Sequence, residues 1–472
     1  MQPILSVEDI PMKITPRTLA TTLFATLSAS ICLGLCNQAA AFTDSELQQK
    51  MQQLVAQKAK ADQPGFTVIV RKGPQVMLRG GYGLADLETA TPMRPDSNLR
   101  LASQTKQFTA MAVLQLVQAG KIKLEHKVGE VLTDYPAVGR DITIKQLLTH
   151  SSGIPNLSRM PEFRDNKAKD ATLPELLALF SSQPLQFAPG SRFGYSNSNY
   201  VLLTAIIEAA SKQTYADYLQ QHVFQPLGMK NTGYDVASDI VPNRAKGYEQ
   251  TATGFRNADV ISMTRPQGAG GLRSTVDDLN LWDQALYTTK LLPQELLQQS
   301  FVKHPGADGK PLPYGYGWMS ADLAELETHE HSGGIDGFSS YIIRVPSQQV
   351  YVAVLANSSY FDSYTMAVKL AAIAVGKPME PTPVTLPEAT LWAITGNYSF
   401  DDGTERLITL EQGVLICQTK EGARQQLTPS ADGKLYLEDD TSYLTLGKIS
   451  KGKAALELVV RGFGTFPAKR LQ

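Results

Sequence analysis

The sequence predicts an α+β protein in two parts. The first is an antiparallel sheet flanked by helices, an α/β sandwich with an all-helical insertion; the second is a small antiparallel β-barrel-like domain. Three observations predict it. β-Prone hairpins stand near both ends of residues 45–376, helical patterns fill the stretch between them, and the composition changes after Gly376. With 472 residues the chain also exceeds what one hydrophobic core usually absorbs, so more than one core is expected.

The first hairpin joins Phe66-Thr67-Val68-Ile69-Val70 to Val76-Met77-Leu78-Arg79 across the turn sequence Lys72-Gly73-Pro74. The second joins Tyr341-Ile342-Ile343-Arg344-Val345 to Val350-Tyr351-Val352-Ala353-Val354-Leu355 through Pro346-Ser347. Little between them has strand character, so a single sheet assembled from both ends is the natural inference. Pro174–Phe180, Tyr200–Ala210 and Val276–Leu286 read as helices by apolar spacing and capping residues. Ser274 and Thr275 read as the N-cap of the last. Residues 377–387 carry four prolines and form a semi-rigid linker. From 388 to 472, short runs such as Leu407-Ile408-Thr409-Leu410, Gly413-Val414-Leu415-Ile416 and Leu456-Glu457-Leu458-Val459-Val460 alternate with turns, the pattern of an up-and-down antiparallel domain. There is no internal repeat.

A formal charge of −1, with 43% hydrophobic and 19% charged residues, fits a folded soluble protein. No basic stripe with interleaved aromatics exists, which excludes nucleic acid as an expected partner. The N-terminus reads as a signal peptide over residues 1–41. Leu19–Leu35 is apolar or small, Lys13 and Arg17 precede it, and Ala39-Ala40-Ala41 offers a cleavage site before Phe42. Met12 is the better start, because Glu8 and Asp9 spoil a basic leader. The alternative, an uncleaved anchor, is disfavoured by the shortness of the run and its interruption by Thr and Ser. An exported protein, periplasmic or extracellular, is expected, with membrane contact only through this segment. Cys32 and Cys36 would leave with it; Cys417 alone makes no internal disulfide, and no cysteine set for zinc exists.

The strongest chemical signal is Leu101-Ala102-Ser103-Gln104-Thr105-Lys106-Gln107-Phe108, running into an apolar helical stretch, Phe108 to Val117, closed by Gly120. Ser103 and Lys106, three residues apart, share one face of a helix. Its N-terminus favours negative charge on the serine oxygen and on an oxyanion. A lysine shielded from water can help take the serine proton. An N-cap serine beside a solvated lysine is also common, so this spacing needs support. Two segments supply it: Tyr195-Ser196-Asn197 between turn-forming residues, and His331-Ser332-Gly333-Gly334 ahead of the strand at Tyr341.

Ser-x-x-Lys, Tyr-x-Asn and His-Ser-Gly, in that order, resemble the serine β-lactamase and penicillin-binding-protein superfamily. The His in the third motif is similar to the branch of D-alanyl-D-alanine carboxypeptidases, D-aminopeptidases and related esterases. Leu147–Ile154, Ala269–Thr275 and Tyr314–Trp318 also match family habits, and the resemblance runs from about Ser45 to Val375. It implies a transpeptidase-like fold and an exported serine hydrolase acting through an acyl-Ser103 intermediate. Ser103 would attack the carbonyl, Lys106 and Tyr195 would share the general-base task, and Asn197 would bond Lys106 and the substrate amide. The N–H groups of Ser103 and Gly334 would form the oxyanion hole, worth about 3–4 kcal/mol per donor. His331 and Ser332, with Gly333, would line the site and place the substrate.

The implied substrates are a small D-amino-acid-containing peptide, an ester or a β-lactam, with cell-wall peptidoglycan as the wider target, and no cofactor. Class C β-lactamases carry lysine where His331 stands, so peptidase or esterase activity ranks above β-lactamase activity. The intact Ser103, Lys106 and Tyr195 argue against a catalytically idle relative. His329-Glu330-His331 has no further ligand cluster beside it and is not read as a metal site. His150, with no G-x-S-x-G elbow anywhere, reads as a structural residue of a turn. Tyr316 and Trp318 read equally as core or substrate wall. The C-terminal part is similar to the small, lipocalin-like β-domains appended to some relatives and contains no catalytic constellation.

Overall fold

Strand-forming runs from the two ends of the first 376 residues pair in one sheet. The computed structural model describes residues 42–471 apart from 402, 421, 423, 438–440 and 462–463, so the expected signal peptide lies outside the described residues. The first hairpin is β1 (Phe66–Lys72) and β2 (Gln75–Tyr82). A four-strand meander follows late in the chain: β3 (Met319–Leu323), β4 (Leu326–Ile335), β5 (Phe338–Val345) and β6 (Val350–Ala356). β1 lies antiparallel to β6, with Phe66 opposite Ala356 and Lys72 opposite Val350, giving the order β3-β4-β5-β6-β1-β2. β3 and β4 carry Asp, Glu and paired glycines, residues depleted in strands, and their sequences do not announce them.

Six helices of eight or more residues occur among the described residues: α1 (Asp44–Lys58), α2 (Thr105–Gln118), α3 (Leu173–Phe180), α4 (Asn197–Ser211), α5 (Val276–Ala285) and α6 (Ser363–Ala374). Strand alternation divides them between two layers. Val68, Val70, Val352 and Val354 face Met51 and Val55 of α1 and Met366 and Leu370 of α6. Ile69, Tyr351, Ala353 and Leu355 face the larger core, which holds Phe108 of α2, Tyr200 of α4 and Trp282 of α5. α2 is buried at every position from Thr105 to Leu114, as its all-round apolar sequence requires. Thr275 caps α5, its hydroxyl accepting from the Asp278 N–H at 3.2 Å, whereas the Ser274 hydroxyl engages Thr232 at 2.6 Å. Tyr316 and Trp318 both belong to the core.

The C-terminal strands β7 (Gly396–Phe400), β8 (Glu405–Glu411), β9 (Val414–Thr419), β10 (Arg424–Pro429), β11 (Lys434–Leu437), β12 (Tyr443–Ser450), β13 (Lys453–Val460) and β14 (Gly464–Leu471) pair in sequence order, and β14 closes on β7. The result is an eight-stranded antiparallel barrel filled by Leu415, Cys417, Leu427, Leu444 and Leu458, with Ile394 of a short preceding helix joining that core. Arg461, just after β13, reaches into the first domain. Its Nη1 and Nη2 donate to Glu330 of β4 at 3.1 and 2.9 Å, and Nη2 also donates to Thr328 at 3.0 Å. No helix among the described residues is long and apolar enough to cross a membrane.

Candidate active site

The turn that carries Ser103 is shaped before its chemistry begins. Ala102 has φ +50°, the left-handed region that an alanine adopts only under constraint, and Ala102–Gln104 form a 3₁₀ turn leading into α2. β4 constrains it from below. Gly333 sits where an added Cβ would lie 2.3 Å from both the Leu101 carbonyl and the Ser340 hydroxyl, so only glycine allows this approach. Ser340 Oγ donates to the Leu101 carbonyl at 3.0 Å. Gln104 Nε2 donates to the His331 carbonyl and Gln107 Nε2 donates to Gln104 Oε1 at 2.6 Å, while Trp282 donates to Gln107 Oε1 at 3.0 Å. The third motif is thereby fastened to the first.

At the second residue of α2, Lys106 is completely buried. Its Nζ donates to Ser103 Oγ at 3.1 Å, to Asn197 Oδ1 at 2.8 Å and to the Ala269 carbonyl at 2.8 Å. It also stands over the Tyr195 ring, 4.8 Å from the centroid. Asn197 opens α4 and is itself fixed: its Nδ2 donates to Ser158 Oγ at 2.9 Å and its N–H to Asn156 Oδ1 at 3.2 Å. Ser103, Lys106, Tyr195 and Asn197 therefore meet around one ammonium nitrogen, although their motifs lie far apart in sequence. Ser103, Asn197 and Gly334 line a cleft of about 400 Å³, with Arg164, Lys167 and Arg265 on its far wall.

His331 does not line that cleft as expected. Its side chain is turned inward, where Nδ1 donates to the Ser332 carbonyl and Nε2 accepts from the Tyr314 hydroxyl at 2.7 Å. Burial, with the nearby Lys106 charge, lowers its pKa to about 3, so it is neutral wherever a hydrolase would work. Strand parity puts His331 on the face of β4 that meets the core layer, and the cleft is lined instead by Gly334 and Ile335 at the end of the strand. His329 shares that parity but stacks on Phe301, centroids 4.5 Å apart.

His150 is the structural turn residue that the sequence suggests: fully buried, φ +53°, its Nδ1 accepting from the Ser196 N–H at 3.3 Å and its ring 4.3 Å from that of Tyr195. Gln104, the Ala269 carbonyl, Ser158 and Tyr314 belong to the site and have no role in the sequence reading. Ala269 and Tyr314 do stand in segments that the resemblance marks, which was the available signal.

The beta-lactamase family model matches residues 47–375, the whole stretch that supplies these groups. The chain belongs to the beta-lactamase family. Among relatives in this family, Penicillin-binding protein 4* of Bacillus subtilis is 28% identical over 399 residues, covering 79% of this chain and 87% of the relative. The octameric penicillin-binding protein homologue from Pyrococcus abyssi superposes with a TM-score of 0.62 at 25% identity, over 90% of this chain and 99% of that one. The D-amino acid amidase of Ochrobactrum anthropi SV3, solved with D-phenylalanine, gives 0.60 at 25% identity, over 70% and 98%. Membership in the beta-lactamase family makes this a chain of the serine-hydrolase fold, homologous to penicillin-binding proteins and D-amino acid amidases.

Proposed function

We propose that this protein is an exported serine hydrolase that cleaves a small D-amino-acid-containing peptide or amide, or an ester, through an acyl-Ser103 intermediate. The observation that carries the reading is the buried Lys106 ammonium nitrogen held between Ser103 Oγ and Asn197 Oδ1. With the pair one proton short, a Tyr195 phenolate beside the Lys106 ammonium, Ser103 Oγ attacks the carbonyl carbon and its proton passes to the phenolate oxygen. The oxyanion forms at the start of α2, near the N–H groups of Ser103 and Gly334. On collapse the amine or alcohol departs with a proton from the Tyr195 phenol. A water then attacks the acyl carbon, gives its proton to the same pair and releases the acid with Ser103 restored. The D-amino acid amidase among the structural relatives supports an amide substrate of D-configuration. The neutral, inward-facing His331 supplies no fixed cation for a β-lactam carboxylate, which supports peptidase or esterase activity over β-lactam hydrolysis.

The test is intact-mass spectrometry of the protein with a fluorescent penicillin, alongside hydrolysis of p-nitrophenyl esters, each with Ser103→Ala as control. A stable adduct or an ester turnover that disappears in Ser103→Ala is expected. If wild type and Ser103→Ala behave alike with penicillins, fluorophosphonates and activated esters, the reading is wrong.

A further inference from the structure

Beside the Ser103 cleft lies a second concavity, of about 240 Å³, which shares Ile261 and Asp336 with it. One side of it gathers three arginines. Arg100, Arg244 and Arg273 converge on the single carboxylate of Asp235, with Arg100 Nε at 2.8 Å, Arg244 Nη2 at 3.0 Å and Arg273 Nε at 3.8 Å. Asp235 is nearly buried, while the three arginine side chains, which line the concavity, keep 25%, 32% and 16% of their surface exposed. The Nε of Arg273 makes no hydrogen bond, and its Nη1 is spent on the Asn231 carbonyl at 2.9 Å.

The neighbouring carboxylates are committed elsewhere. Asp278 accepts from the Asn231 N–H and the Thr232 hydroxyl. Asp259 and Asp336 are both held by Lys167, and Asp259 also by Arg256. Lys246 is matched by Asp86 and Glu88. Three guanidinium groups share the one carboxylate of Asp235 within ion-pair range, with weaker attraction on Arg273 from Asp239 and Asp278. Holding like charges together costs free energy unless an anion completes the set, and the guanidinium fork suits carboxylate and phosphate oxygens.

The pocket is also joined to the nucleophile. Arg100 lies opposite Arg273 in a short ladder, the next residue, Leu101, donates its N–H to the Leu272 carbonyl at 2.9 Å, and Ser103 follows two residues on. We propose that the Arg100–Arg244–Arg273 pocket binds the remote carboxylate of an extended substrate whose scissile carbonyl sits at Ser103. This rests on the hydrolase reading and deepens it: the acyl donor is an anion with its charge set away from the reacting bond. A free anion acting as an effector shares the same chemistry, and the experiment separates the two.

The experiment compares the p-nitrophenyl monoesters of succinic, adipic and suberic acids with p-nitrophenyl butyrate, hexanoate and octanoate, matched in chain length. At the length that spans the two sites, kcat/KM for the anionic ester exceeds that of its neutral partner by about tenfold or more, mainly through KM. Arg244→Gln and Arg273→Met bring that ratio towards one, and Arg244→Lys preserves most of it. Inorganic phosphate competes with the anionic ester. Phosphate that alters neutral-ester turnover, in an Arg244-dependent way and with no preference for any anionic ester, overturns the substrate assignment in favour of a free anion. Equal ratios at every length, with no effect of phosphate, overturn the pocket altogether. Should no ester be hydrolysed and no Ser103-dependent adduct form with a penicillin or fluorophosphonate, the hydrolase reading fails on its own. An Arg244-dependent rise in melting temperature with phosphate then still decides whether the pocket takes an anion.

Discussion

Asn197→Ala removes one of the three acceptors that lie within 3.1 Å of the Lys106 nitrogen, leaving Ser103 Oγ and the Ala269 carbonyl. A hydrogen bond to a charged group is worth about 1.5–3 kcal/mol, and a buried donor that loses its partner recovers little from solvent. If the bond at 2.8 Å holds Lys106 in register for proton transfer, the loss appears in the transition state. It then corresponds to about a 10- to 150-fold fall in kcat/KM, carried mostly by kcat. Two companions isolate the cause. Ser158→Ala deletes the bond on the far side of the same amide, at 2.9 Å, while keeping the acceptor on Lys106, and is expected to cost under about threefold. Asn197→Asp keeps an acceptor in place but adds a negative charge, which stabilises the protonated lysine, so its activity recovers as pH is raised. The assay is steady-state hydrolysis of a p-nitrophenyl ester, with a thermal melt of each variant to confirm folding. A folded Asn197→Ala enzyme within threefold of wild type would refute the argument that this contact organises the base.

Other consequences follow from buried charge. His329 and His331 are both lowered to about 3, chiefly by burial, and His150 is lowered well below its ordinary value for the same reason. Each is neutral when folded and takes up a proton on unfolding below pH 6.5. Their contribution is therefore fully present above that pH and is lost as pH falls from 6.5 towards 3. At pH 5 the loss is about 2 kcal/mol each for His329 and His331. Denaturant titrations at pH 7.5 and 5.0 should show it, and His329→Gln should reduce the difference by about 2 kcal/mol; an unchanged pH dependence would count against the burial argument. Asp283 is fully buried between Arg71 and Arg344, with Arg344 Nε at 2.8 Å. Asp283→Asn leaves two guanidinium groups buried without their counter-charge and is expected to cost about 3–5 kcal/mol in guanidinium unfolding. A cost below about 1 kcal/mol would mean that the pair is far better hydrated than its burial implies.

The parts of this molecule that the sequence makes legible are those where one residue type serves one purpose. The β1 and β6 runs of Val and Ile are buried on both faces, so their apolar continuity betrays them even though they lie at opposite ends of the domain. α2 is legible for the same reason. Which residues would gather around Lys106 was legible through the family resemblance, because Ser103, Tyr195 and Asn197 stand in motifs that match the family's in order. β4 is different. Its residues Thr328 to Gly334 are chosen for the site and for the interface behind it, and those polar side chains and glycines mask the strand. The direction of His331 depends on the parity of a strand that gave no signal of its own. The Gln104–Gln107–Trp282 chain and the arginines around Asp235 involve residues distant in sequence that only the folded register brings together.

The barrel shows how far this reaches. A closed barrel has no free edge with which to extend the main sheet, so it meets the first domain through side chains and loops. Thr441 Oγ1 donates to the Tyr364 hydroxyl of α6 at 3.0 Å, and a second contact lies at β4. There the alternation that sends His331 towards the nucleophile turn sends Glu330 to the opposite face, into the fork of Arg461. Both side chains are almost wholly buried, at 2% for Glu330 and 7% for Arg461, and Thr328 shares the same guanidinium. While the barrel is docked, removing either partner leaves a buried charge uncompensated, at a cost of about 3–5 kcal/mol. The first domain thus carries, one residue from its third motif, a charge whose partner the barrel supplies. The same strand holds Gly333 against Leu101, so the contact with the barrel and the support of the turn carrying Ser103 are anchored three residues apart on β4.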